Sequence, residues 1–318
     1  MTTRFADAQT IQSAGAFLQG ELERLDPKLY EPLSDFTWGR DMPVRSDVSV
    51  ADEFTSFMTS EFAGGFSGTG NGTKSWIHDK DTTPAQVALK FGKTLSPLTP
   101  WGMELAYSIF ELQKAQQVGR PIDEQKFNAL RTKHQLDIDA MVYVGDTEIG
   151  QTGLLNNASV ASGNVGAISA SSTPDAVLDA FNTALDTAWK NANYVRIPNK
   201  CLVPPEVFSI LVSTQLPNTN MNLMQFLLAN NIASANGAKL EIAPCKWLST
   251  TLPGAVIATP KIVAYIQDPD YIRFPLVELQ SLPMQYRDFN QVVPYYAALG
   301  VVEFVRPETV YYGVLADS

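Results

Sequence analysis

Between Pro121 and Val144 the apolar positions fall into one stripe. Phe127, Leu130, His134, Ile138 and Met141 stand at i, i+3, i+7, i+11 and i+14, the spacing of a single helix face. Pro121 suits a first helical turn, and Asp123 and Glu124 favour its positive end. A helix is therefore predicted over 121–144, ~35 Å long at 1.5 Å per residue. Leu105, Ile109 and Leu112 repeat at the same spacing and predict a second helix, ending at Gly119-Arg120-Pro121. Farther upstream the pattern changes. Val48–Phe62 and Val87–Leu95 are compatible with strands, and the segment between them reads AGGFSGTGNGTKSWIHDKDTTP. A tip this long and glycine-rich predicts a protruding hairpin rather than a tight turn. Phe66, Trp76 and Ile77 are its candidate contact anchors, because aromatic residues dominate contact centres.

The remaining pattern divides into an arm, a mixed middle and a strand-rich tail. Phe17, Leu18, Leu22 and Leu25 have helical spacing, but Pro27, Pro32 and Pro43 break the stretch after Leu25. Residues 1–45 read as an arm that needs something to lie on. Thr173 and Pro174 open a helix through about Lys190, with Val177, Leu178, Phe181, Leu185 and Trp189 inward. Beyond it lie short pieces: a strand near 200–203, helices near 205–213 and 221–230, and a strand near 239–243. From Lys261 the chain turns mainly to strand, in KIVAYI, ALGVVEFV and TVYYGVLA.

Composition sharpens the middle region. Charged residues are 18% of the 318, below the ~25% of an average soluble protein. Two runs, Gln151–Pro174 and Val207–Ala238, carry no charge at all. A surface helix normally keeps charge on its outer face, whereas contact centres are charge-depleted and methionine-rich. Met221, Leu223, Met224 and Phe226 are therefore candidate interface residues, with burial inside the same domain as the equal alternative. The net charge of −10 and the absence of a basic cluster argue against tight DNA binding. No apolar run approaches the ~20 residues of a membrane helix. Cys201 and Cys245 read as free thiols of a reducing compartment.

Chemistry fails at each place it could arise. Gly145, Gly150, Gln151 and Thr152 reproduce a phosphate-binding loop in all but one position. Such a loop needs a preceding strand, a following helix and a lysine for the phosphates. Here a long helix precedes it and Gln151 stands in the lysine's place, with no charge to offer. Gly145, Gly150 and Gly153 instead let the chain leave the helix and cross between two domains. The two histidines, His78 and His134, accompany no nucleophile motif. Asp137 and Asp139 lie on different helix faces, and Asp268-Pro-Asp270 reads as a turn. No catalytic, metal or cofactor site is expected.

The order of elements resembles the major capsid proteins of tailed bacteriophages, the Hong Kong 97-like fold family, of α+β class. The matching features are an N-terminal arm, the hairpin VSVADEFTSF to VALKFGKTL, and the long helix PIDEQKFNALRTKHQLDIDAMVYVGD. The glycine-rich exit GDTEIGQTGLLNN and a tail ending in Arg-Pro-Glu-Thr-Val-Tyr-Tyr complete it. The resemblance implies an arm (1–45), an extended loop (46–98), a peripheral domain (99–149 and 291–318, with spine helix 121–144) and an axial domain (150–290). It implies a shell of hexamers and pentamers of this chain around double-stranded DNA that is held weakly. A scaffolding protein, a portal and decoration proteins are the implied partners. Localisation would be the virion, assembled in the host bacterial cytoplasm. With only about 45 residues before the loop, a separate scaffolding protein is expected. Lys74, Lys80 and Lys90 are available for crosslinking, but no partner Asn and acid stand out. The alternatives at this point are an encapsulin-like compartment shell and a nucleotide-dependent enzyme using 145–152.

Overall fold

The fold is organised by a five-stranded sheet whose inner strands are buried on both faces. The computed structural model describes residues 35–65, 86–118, 122–217, 219–251, 257 and 259–315. The sheet's strands are β7 (Ala161–Asn164), β8 (Lys200–Val203), β9 (Glu241–Pro244), β10 (Lys261–Tyr265) and β15 (Tyr311–Val314), in the order β7-β15-β10-β8-β9. Side chains alternate across a strand. Cys201, Val203, Ile262, Ala264 and Tyr311 enter one core with Val177, Phe181 and Leu185 of the helix Pro174–Asn191. Leu202, Val263, Tyr265 and Tyr312 enter the other, with Ile138, Val142 and Tyr143 of the long helix. A sheet covered on both sides explains why KCLV and KIVAY read as unbroken apolar runs.

The long helix spans Ile122–Tyr143. Of its stripe, Leu130, His134, Ile138 and Met141 are buried, while Phe127 near the start stays 39% exposed. It also lies under a six-stranded sheet formed by β1 (Val44–Arg45), β4 (Thr99–Ser108), β11 (Ile272–Ser281), β12 (Gln285–Arg287), β13 (Asn290–Leu299) and β14 (Glu303–Phe304). Leu105 and Tyr107 of β4 meet Leu130 there. The expected helix through Leu105 is corrected: residues 99–108 pair with all ten residues of β13, and the helix begins only at Ile109. Long-range pairing overrode a three-residue periodicity, because Leu105 and Tyr107 alternate toward the helix as strand residues do. ALGVVEFV is likewise broken, since β13 stops at Leu299 and only Glu303–Phe304 resumes pairing.

Two strands, β2 (Phe54–Gly65) and β3 (Gln86–Pro97), form a separate antiparallel ribbon with all twelve residues in register. The first strand starts six residues later than Val48, which is packed with Val50 against Leu98, Val277 and Ala298. Phe36–Ser318 is one compact unit. The expected arm falls largely outside the described residues.

Candidate functional site

The ribbon is amphipathic. Residues directly opposite in an antiparallel pair project to the same side. Pairings Ser56–Leu95, Met58–Lys93, Ser60–Phe91 and Phe62–Leu89 therefore put Phe54, Met58, Leu89, Phe91 and Leu95 on one face. All five are 58–68% exposed, whereas Thr55, Phe57, Thr59, Thr94 and Ser96 occupy the other. Exposed apolar surface of this kind marks an interaction site.

The base of the ribbon is fixed by charge. Glu303, 1% exposed, accepts from Arg45 at 3.2 Å and from Arg273 at 2.7 Å. Arg45 also donates to the carbonyl of Ser56 at 3.3 Å and to Asp47 at 2.6 Å. The arginine thus ties β1, β14 and the first ribbon strand together. Leu98 closes the other side, its N–H bonding Glu53 O at 3.0 Å.

The glycine-rich turn sits beside this base. Gly145 lies just past the helix with φ +75°, and pairs with Thr152 across a two-residue ladder, β5 (Gly145–Asp146) with β6 (Gln151–Thr152). Gly150 has φ +67°. Gly153 is required for space, because a Cβ there would stand 2.5 Å from the carbonyl of Tyr143. Gln151 is buried and donates to Thr99 Oγ1 at 3.0 Å. Its NH₂ is turned inward to Thr99, its Oε1 is buried without a partner among the described residues, and no helix follows directly, so the turn lacks what a phosphate cradle needs.

Of the other expected site residues, Phe66, Trp76 and Ile77 lie outside the described residues. Met221 is 40% exposed, and Met224 and Phe226 are half-buried against the core of the five-stranded sheet. Leu223 is corrected as a contact residue: at 1% exposure it is spent within its own chain. Its helix, Leu223–Asn230, is capped by Asn222 Oδ1 accepting from Gln225 N at 2.9 Å. Sequence reasoning passed over the ribbon's apolar face. Its signal was the period-two spacing Leu89-x-Phe91-x-Lys93-x-Leu95, hidden beside a more conspicuous glycine-rich tip.

A second polar knot joins the long helix to the segment before the ribbon. The short helix Trp38–Asp41 is held at its start by Asp139 Oδ1, which accepts from Thr37 N at 2.9 Å and Trp38 N at 3.1 Å. Oδ2 of the same carboxylate accepts from Trp247 Nε1 at 2.7 Å and Lys246 Nζ at 2.8 Å. Asp41, fully buried, accepts from Arg40 and from Tyr143 Oη. Desolvation holds the Tyr143 hydroxyl protonated, far above its ordinary range. Burial also pushes the Cys245 thiol up to about 12, and the Cys201 thiol higher. Both cysteines are free.

The fold is that of phage capsid shells. Over 93% of this chain and 98% of the other, it matches the capsid of Myoviridae phage XM1, with TM-score 0.75 and 17% identity. Mycobacterium phage Che8 gives TM-score 0.59 and 15% identity over 92% and 96%. The virus-like particle of Pyrococcus furiosus gives 0.50 and 14% over 86% and 90%. No curated protein matches the sequence. The family described as "Major capsid protein" matches residues 72–314. The chain belongs to the major capsid protein family of tailed phages, and it is a structural subunit of an icosahedral head.

Proposed function

We propose that copies of this chain build the head through the ribbon, each laying its Phe54–Met58–Phe91 face on an adjacent copy. The observation that carries this is the one-sided exposure of five large apolar side chains on a ribbon tied to the fold at its base. Full burial of each contributes ~1.5–3 kcal/mol, offset in part by ordering costs. Weak contacts of this size become decisive when every subunit makes several. In this reading residues 99–149 and 291–318 form a peripheral domain and 150–290 an axial domain around the axes of hexamers and pentamers. Gly145, Gly150 and Gly153 form the crossing between them. Met221, Met224 and Phe226 lie on the axial side, and the hairpin tip with Phe66, Trp76 and Ile77 adds to the contact.

The subunit has a structural rather than a catalytic role. In this reading a scaffolding protein guides assembly in the host bacterial cytoplasm, and a portal occupies one vertex. Packaged double-stranded DNA meets the shell weakly, as the net charge of −10 favours. The test substitutes Met58→Asp and Phe91→Asp in the full chain. Particle yield by sedimentation is expected to fall at least about tenfold, with subunit melting unchanged because both sites are exposed. Normal shells from both variants would contradict the reading.

A further inference from the structure

At the far end of the helix Pro174–Asn191 the backbone does something costly. Asn193 and Tyr194 adopt φ of +52° and +60° in succession, a conformation that costs roughly 1–2 kcal/mol for each residue with a side chain. Such strain persists only where surroundings impose it, and it clusters at functional places. The turn is over-determined here. Asn193 N bonds Lys190 O at 2.9 Å, Tyr194 N bonds Trp189 O at 2.8 Å, and Val195 N bonds Ala192 O at 3.1 Å. The Tyr194 ring stands edge-on to Trp189 at 5.0 Å. The result is a rigid lip with Tyr194 55% and Val195 77% exposed.

Behind the lip is a notch of about 210 Å³ lined by Val195, Arg196, Tyr271, Arg306 and Glu308 among others. Tyr271 organises both arginines. Its ring carries the Arg196 guanidinium at 5.8 Å. Its carbonyl accepts from Val305 N at 3.0 Å and Arg306 N at 3.2 Å. Stacking covers the face of a guanidinium and leaves its N–H edge free for a planar acceptor. The carboxylate within the notch, Glu308, reaches Arg306 only at 3.8 Å, with both side chains largely exposed. A pair like that is weak. The notch, with two arginines and one carboxylate, therefore has a surplus of one positive charge on a chain whose acids outnumber its bases 33 to 23.

We propose that this notch is a carboxylate socket: an Asp or Glu side chain of a second copy docks between Arg196 and Arg306, with Val195 and Tyr194 as the apolar rim of the contact. The inference rests on the shell reading above and adds a contact that the ribbon does not supply. A protein partner is favoured over a nucleic-acid phosphate because exposed valine and tyrosine beside arginine is the make-up of protein interfaces. Phosphate sites are lined by basic and polar groups.

The experiment compares shell formation by the full chain and by Arg196→Glu, Arg306→Glu and Arg196→Lys, across salt concentrations. Charge reversal is expected to raise the threshold concentration for shells at least about tenfold, with Arg196→Lys intermediate because it keeps charge without the fork. Wild-type assembly is expected to weaken with salt more steeply than either reversal variant does. Subunit melting should not move, since neither side chain is buried. Reversal variants that assemble at the wild-type threshold would overturn the socket while leaving the ribbon reading standing. Failure of the wild-type chain to form any shell would overturn both. Reversal variants with normal shells but lost binding of a short DNA duplex would reassign the notch to phosphate and overturn the proposal.

Discussion

Asp139→Asn removes one charge and keeps the shape of the side chain. The native carboxylate is fully buried and accepts from four donors, two backbone N–H groups on Oδ1 and the indole N–H and ammonium on Oδ2. An amide offers one acceptor oxygen and one NH₂ group. Whichever way it turns, two of the four donors then face another donor. Hydrogen bonds to a charged group contribute ~1.5–3 kcal/mol each, so the gross loss is about 3–6 kcal/mol. If NH₂ faces the Lys246 side, part is regained, because that ammonium is 31% exposed and can return to water. A net loss of about 3 kcal/mol is expected. At ~2–4 °C per kcal/mol for large domains, unassembled subunits should melt roughly 6–12 °C lower by circular dichroism. Asp137→Asn is the control. Asp137 bonds Trp101 Nε1 at 3.0 Å and is 29% exposed, so its loss should stay below about 1 kcal/mol. Equal melting of the two variants would refute the view that Asp139 clamps the 37–41 segment to the long helix.

The glycines of the turn after the long helix should separate by mechanism. Gly150→Ala meets nothing within 4 Å but keeps φ +67°, and is expected to cost about 1 kcal/mol. Gly153→Ala drives a Cβ to 2.5 Å from the Tyr143 carbonyl and is expected to cost about 3 kcal/mol or more, read by denaturant midpoint. His134 gives a pH dependence. Its ring lies 4.6 Å from Trp101, and Nε2 is buried without a partner among the described residues. Burial lowers its pKa from the usual 6.5, with Asp137 opposing. The unfolded chain therefore takes up the proton first. Stability is unaffected above pH 6.5 and falls as pH drops below it, levelling off once the folded imidazole also protonates. His134→Phe should flatten that part of the urea-midpoint profile; an unchanged slope would assign it to other groups.

Periodicity was legible where a helix buries one face. The stripe through Leu130, Ile138 and Met141 and the cap-and-proline start at Thr173–Pro174 both appear as expected, since each depends on near neighbours. Leu105 was misread because its partner, Val293, is 188 positions away, and no local pattern reports such a pairing. Asp139 could be excluded as half of a carboxylate pair from helix geometry alone. Its actual partners, at 37–38 and 246–247, come together only in the folded chain. Leu223 shows the same limit from the other side, because absence of charge in its run fits burial within the subunit as well as contact between subunits. The ribbon's apolar face was written in the alternation of Phe91 and Leu95, and needed the register with Ser56 and Ser60 to show that the two strands share it.

Electron cryomicroscopy of particles formed by the wild-type chain tests the central claim most directly. The expected result is a closed icosahedral shell in which the ribbon face bearing Phe54, Met58, Leu89, Phe91 and Leu95 is covered by an adjacent copy. A monodisperse monomer with and without a scaffolding protein, or a shell that leaves that face in solvent, would contradict it.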